Sequence, residues 1–119
     1  MNEYHGIIIR EGLKEQSILD KMNVVGSKTD DEFTLFKVEI DENRLDKIIT
    51  IVQQELKTDP VYYAHFYRDN ELIVIFPDKI FRMTPDKSTW IAAIEHGKSL
   101  SIPEEQLDFF PCRIEDETY

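Results

Sequence analysis

Several things are scarce in this 119-residue chain, and each shortage removes a class of protein. There is one cysteine, Cys112. No internal disulfide can form, so the reducing cytoplasm is the expected setting. Cations are outnumbered, with 14 Lys and Arg against 24 Asp and Glu and a formal net charge of −10. Phosphate contacts rely on clustered Lys and Arg, so no general affinity for nucleic acid or for an anionic membrane surface is expected. Long apolar runs are missing as well, and no segment approaches the ~20 apolar residues that a membrane span needs. The start, MNEYHGIIIREG, sets acidic and polar residues around three isoleucines. A secretory leader would carry a basic stretch and a longer apolar run there, so none is expected.

Glycines number four. Gly6 and Gly12 bracket the first apolar run, but the further glycine and the Lys-Ser/Thr of a phosphate loop do not follow. The three histidines, His5, His65 and His96, are scattered. None has another histidine or a cysteine at ligand spacing, so neither a metal nor another cofactor is expected. Cys112 has no glycine-rich helix start and no histidine partner in sequence, which argues against a nucleophile. Glu95 and His96 are neighbours on a predicted helix and do not face each other.

What is present is a long block of strand-forming residues, PVYYAHFYRDNELIVIFPDKIFRMTP over Pro60–Pro85. The pattern predicts an antiparallel meander with strands near Val61–Arg68, Glu71–Phe76 and Lys79–Met83. A two-residue turn at Asp69-Asn70 sets Arg68 opposite Glu71 and continues as Tyr67–Leu72, Phe66–Ile73, His65–Val74 and Ala64–Ile75. Alternation then gives one face of Tyr63, His65, Tyr67, Leu72, Val74 and Phe76, and another of Ala64, Phe66, Ile73 and Ile75. Both faces are apolar, whereas a sheet with one wet side alternates apolar and polar positions. Either helices cover both sides, or something outside the chain covers one. Tyrosine and histidine join apolar bodies to polar tips, which marks the face with Tyr63, His65 and Tyr67 as the one for an outside contact.

Other elements follow from periodicity. Tyr4–Arg10 and Phe33–Ile40 read as strands, the second with Phe36, Val38 and Ile40 on one face and Lys37 and Glu39 on the other. KEQSILDKM reads as a short amphipathic helix, Val24–Gly26 as an extended link, and Ser27–Glu32 as a polar, mobile loop. Asp41 is placed to cap a helix over Glu42–Lys57, whose buried stripe is Leu45, Ile48, Ile49, Val52 and Leu56. A second long helix follows Asp86 or Ser88, with Trp90, Ile91, Ala93, Ile94 and Gly97 on its apolar side, and Gly97 lets another element come close. Ser101-Ile102-Pro103-Glu104 has the form of a capping box opening a short helix to Leu107, with Phe109 and Phe110 as anchors beyond it. From Pro103 onward six acids face one arginine, a net of −5, half the whole excess.

Together these predict one α+β domain over residues 1–119, with a short acidic tail over about 111–119. Its architecture is a two-layer sandwich, a mostly antiparallel sheet of four to five strands with the two main helices on one face. The strand–helix–strand order resembles ferredoxin-like folds in element order alone. No motif identifies a catalytic centre, and an enzyme is not the favoured reading. The favoured function is a non-catalytic binding or regulatory module that self-associates or meets a protein partner through Tyr63, His65, Tyr67, Leu72, Val74, Phe76 and Trp90. The competing expectation is a small enzyme or small-molecule-binding protein with a pocket around His65, Tyr63, Tyr67 and Trp90.

Overall fold

The computed structural model describes residues 3–15, 19–20, 22–30, 33–58, 61–68, 71–84, 86–103 and 107. The expected Asp69-Asn70 turn, four of the nine residues of the helix expected at KEQSILDKM (Gln16, Ser17, Ile18 and Lys21), the helix expected beyond Pro103, the anchors Phe109 and Phe110, Cys112 and the acidic tail lie outside that set. Six strands form one sheet: β1 (Glu3–Ile9), β2 (Asn23–Asp30), β3 (Phe33–Asp41), β4 (Ala64–Arg68), β5 (Glu71–Ile75) and β6 (Ile80–Met83). Two α-helices accompany the sheet among the described residues, α1 (Leu45–Glu55) after β3 and α2 (Ile91–Ser99) after β6. The fold class is α+β as expected, with one or two strands more than the sequence predicts.

The sheet order is β2-β3-β1-β4-β5-β6, and all neighbouring pairs run antiparallel. β3 and β4 therefore run parallel to each other with β1 between them, and α1 crosses over β1 to join them. This split strand–helix–strand unit is what the fold shares with ferredoxin-like element order. The meander register is the expected one, from Arg68↔Glu71 back to Ala64↔Ile75.

Alternation along each strand sorts the side chains onto two faces, and each face carries its own core. On the first, Tyr4, Ile8, Val38, Ile40, Phe66 and Ile73 pack with the α1 stripe Leu45, Ile48, Ile49 and Val52 and with Leu56. Ile51 packs at the rim of the same cluster. On the second, Tyr67, Leu72, Val74 and Phe76 pack against Trp90 and Ala93 at α2, together with Ile102 and Leu107. The helices thus lie on opposite faces, which corrects the expectation that both share one. The cause is the meander's two apolar sides: with α1 seated on Phe66 and Ile73, only α2 is left to cover Leu72, Val74 and Phe76.

A second correction concerns Ser27–Glu32. Ser27–Asp30 is the end of β2, paired with Phe33–Phe36, whereas Asp31 and Glu32 lie outside the described residues. An edge strand needs only its neighbour's backbone groups, so polar side chains facing water do not prevent it from forming. A third is Ile91, which is 59% exposed at the start of α2 rather than on its buried side.

The helix ends follow local chemistry. The Asp41 carboxylate accepts the Asn43 amide at 2.8 Å, opening a 3-10 turn that leads into α1. Asp86 does the same for Ser88 at 3.0 Å ahead of α2. Trp90 Nε1 donates to the Thr84 carbonyl at 2.8 Å and ties the start of α2 to the end of β6. At Gly97 a Cβ would stand 2.6 Å from Leu107 Cδ2, so the missing side chain is what lets Leu107 in, as the sequence predicts. Ser101 has φ 69°, and the Ile102 amide reaches back to the Gly97 carbonyl while the Ser101 amide bonds to Lys98. That pattern closes a helix, so Ser101 terminates α2 and is not the extended N-cap of a capping box.

Candidate functional site

The residues expected to form a contact face are brought together, but inward. Leu72, Val74 and Phe76 are 0% exposed, Trp90 2%, Tyr67 3% and His65 8%, with Tyr63 half-buried. Phe76 touches the Tyr63 ring at 5.6 Å and the Phe81 ring at 5.9 Å, an aromatic seam under α2. The chain's own helix therefore covers most of this face.

One half of the same face is polar, and the sheet order is what assembles it. The registers place Lys37, Ile7, His65 and Val74 in one row across β3, β1, β4 and β5. The next row is Glu39, His5, Tyr67 and Leu72. Lys37 is 3% exposed and His5 8%, which makes them, with His65, the buried polar and charged residues of the described chain. Nε2 of His5 lies 3.5 Å from Glu39 Oε2, and the His5 and His65 rings flank Tyr67 at 6.3 and 6.0 Å. His5, Lys37, His65 and Tyr67 each have further partners, so none of the four is unpaired. A lysine and two histidines are thus held largely out of water, His5 with Glu39 as a carboxylate neighbour, and burial of such groups is tolerated where they are paired.

Sequence reading placed His65 and Tyr67 here and missed His5, Lys37 and Glu39. Alternation had set Lys37 and Glu39 on the polar side of their strand; nothing local indicates that this side is buried. Trp90 stands at the other end of the face, with the second core between.

A second titratable pair lies where α2 passes the β5–β6 turn. His96 Nε2 is 2.9 Å from Asp78 Oδ1, with the Phe76 and Phe81 rings at 5.2 and 5.5 Å from the imidazole. The hydrogen bond from His96 holds the Asp78 carboxyl below the usual carboxylate range. His96 thus has a carboxylate partner, but from the turn and not from its sequence neighbour Glu95.

At the edge of the other face, Tyr4 Oη donates to Glu71 at 2.7 Å, and Arg68 bonds the same carboxylate at 2.8 Å while lying 4.2 Å from the Tyr4 ring centre. Burial, then the hydrogen bond to Glu71 and its charge, push the Tyr4 hydroxyl up to about 12. Burial alone would raise Glu71, but the hydrogen bonds from Tyr4 and Arg68 and the guanidinium charge outweigh it and hold that carboxyl low.

Two open hollows lie among the described residues. One, about 220 Å³, lies among Asn23, Glu39, Asp41 and Arg44, and the other, about 230 Å³, among Glu71, Arg82, Thr84 and Thr89. Neither is lined by Tyr63, His65, Tyr67 or Trp90. No group of three or more His, Cys, Asp or Glu among the described residues is arranged to hold a metal ion.

The surface offers a different feature at β2. This strand is the outermost of the described strands on that side of the sheet, eight residues long, and Asn23–Val25 and Ser27–Thr29 are exposed. Its pairing with β3 shifts between Val24 and Gly26, so Val25 is the extra residue of a bulge. Val24 is 41% and Val25 44% exposed, two of the four large apolar side chains left exposed among the described residues. Also among those residues, no helix is long and apolar enough to cross a membrane.

No protein-family model, curated protein or solved structure matches the chain.

Proposed function

We propose that the chain is a non-catalytic binding or regulatory module that acts by meeting a protein, either a partner or a second copy of itself. The observation that carries this reading is the edge of β2, with adjacent exposed valines on a strand whose outer side adjoins no other described strand. Edge strands of soluble proteins are usually blunted by charge, proline or shortness, and contiguous apolar exposure favours contact. The aromatic face around Tyr63, His65, Tyr67, Leu72, Val74, Phe76 and Trp90 takes part by seating α2; a partner that met it directly would have to displace that helix. The same reading takes the single cysteine as the mark of a cytoplasmic chain and the net charge of −10 as disfavouring nucleic acid.

A photo-crosslinking phenylalanine analogue at Val25, expressed in the source cell, tests it. The expected result is one discrete adduct, of the chain with itself or with a defined partner, that disappears when Val24 is also changed to Lys. The exposed helix position Gln54 is the control. Equal, diffuse labelling from Val25 and Gln54 would remove the reading.

A small enzyme or small-molecule-binding protein is the second reading, and the cluster of His5, Lys37, Glu39, His65 and Tyr67 is what favours it, since buried titratable groups gather at functional sites. Histidine proton shifts recorded against a small-molecule library test it: movement confined to His5 and His65 supports it, and invariance removes it.

A further inference from the structure

We infer that residues 108–119 are the cover of the polar half of the α2-side face. They act as an autoinhibitory strap whose acids pair with Lys37 and close the cluster of His5, Lys37, Glu39, His65 and Tyr67. Burial, width, continuity and charge each point to this segment.

The burial arises within one chain. Lys37 is 3% exposed, and His5 and His65 are 8% each. Their cover is therefore part of the same polypeptide.

The helix on that face is too narrow to supply it. The row through Lys37 runs Gly26, Lys37, Ile7, His65, Val74 and Phe81 from β2 to β6. His96 of α2 meets the rings of Phe76 and Phe81, which places the helix at the β5–β6 side. Strands stand ~4.8 Å apart, so β3 lies ~14 Å beyond β5, whereas a helix with its side chains is ~10–12 Å across.

Other connections are committed elsewhere. Leu13, Leu19, Met22 and Tyr62 pack into the first core, on the opposite face. Leu100, Ile102 and Leu107 pack into the second, and so does Ile7, which stands between Lys37 and His65. Leu107 sits against Gly97, so the chain leaves α2 on the face in question. Twelve residues follow it. Extended, they reach up to ~40 Å, and the step from β3 to β4 is only ~10 Å.

Charge selects the same segment. A lysine is held out of water by an acid brought against it, and Lys37 does have a partner. Glu39, the carboxylate of the next row, already faces His5 at 3.5 Å. Residues 108–119 read DFFPCRIEDETY, with four acids against one arginine, and Glu115, Asp116 and Glu117 are consecutive. Phe109 and Phe110 bring apolar bodies suited to Ile7 and the Tyr67 ring. A ligand or partner then reaches His5, Lys37 and His65 only once the strap has left.

Amine labelling of the full chain, read by mass spectrometry, tests this. In the wild type Lys37 should react about tenfold or more slowly than the exposed Lys47, because only the open form is labelled. Phe109→Ser with Phe110→Ser releases the strap through its apolar contacts. Glu115→Gln with Asp116→Asn and Glu117→Gln releases it through charge. Each set should raise the Lys37 rate about fivefold or more and leave Lys47 unchanged. Unchanged circular dichroism separates release from unfolding, and if the phenylalanine variant does not fold, the charge variant decides. As a second arm, carbodiimide coupling of the monomeric wild-type chain should join Lys37 to an acid of residues 108–117 as an amide, with loss of one water. Lys37 that stays protected in the folded charge variant, or that couples only to acids before residue 104, overturns the inference. Labelling at Val25 reads a different surface, so this result and the module reading stand or fall separately.

Discussion

Gly6→Ala tests the packing that seats α1 and joins the two halves of the sheet. Gly6 lies opposite Phe66 across the β1–β4 pair, and the Phe66 ring covers it. A Cβ at Gly6 would overlap ring atoms Cδ1 and Cε1 and stand 3.2 Å from Cγ. Carbon atoms settle at ~3.5–4.0 Å, so the ring must retreat by about 1 Å or more. It has nowhere to go: Phe66 is 0% exposed, and β1 and β4 are each paired on both sides. Overpacking of this kind costs ~1–3 kcal/mol, and a ring closed in on every side belongs near the top of that range. Replacing a strand glycine returns up to ~1 kcal/mol of backbone entropy. The net expectation is a loss of ~2 kcal/mol, or a melting temperature lower by ~8 °C in a domain of this size.

Urea denaturation followed by tryptophan fluorescence measures it, with the midpoint falling and the slope unchanged. Phe66→Leu provides the second arm, since a smaller, flexible side chain makes room for the new methyl. The double variant should cost less than the two singles added, by ~1 kcal/mol or more. A Gly6→Ala chain within ~0.5 kcal/mol of wild type, or strict additivity with Phe66→Leu, would refute the packing described.

Two further outcomes follow from the helix end and the titrating groups. Ser101→Gly should stabilise the chain by ~0.5–1 kcal/mol in the same urea assay, because the left-handed conformation costs a side chain ~1–2 kcal/mol and glycine gives back part of that in the unfolded state; a destabilised variant would mean that the hydroxyl matters more than the backbone. Tyr4 should ionise at about 12 in ultraviolet titration, read as the difference between wild type and Tyr4→Phe. Its folded value lies above that of a free tyrosine near 10, so its contribution, on the order of 2 kcal/mol, is fully present below pH ~10 and is lost as pH rises through the folded value. Glu71→Gln should lower that value only in part, since burial is the larger cause; a Tyr4 that titrates with exposed tyrosines would contradict the Tyr4–Glu71–Arg68 arrangement.

Much of the chain was legible from local pattern, and the reason is that strand alternation and helix periodicity are properties of neighbours in sequence. The meander register from Arg68↔Glu71 to Ala64↔Ile75, the stripe of Leu45, Ile48, Ile49 and Val52, and the caps at Asp41 and Asp86 all needed only residues a few positions apart. The candidate site was legible in part. His65 and Tyr67 stood out as polar-tipped residues in an apolar strand, but Lys37 and Glu39 looked like the wet side of theirs.

What only the tertiary structure decided is strand order and helix side. Inserting β1 between β3 and β4 puts His5 beside Glu39 and Tyr67, and Ile7 between Lys37 and His65. Those residues lie up to 62 positions apart, the separation of His5 and Tyr67, and no periodicity spans such a distance. The sequence by itself determined that the meander is apolar on both flanks and that each flank must be covered. Which body covers each depends on how the connections cross the sheet: α1 takes the face of Phe66, and α2 is left for the face of Phe76. Local chemistry sets what a strand can bury, and chain connectivity sets what it is buried against.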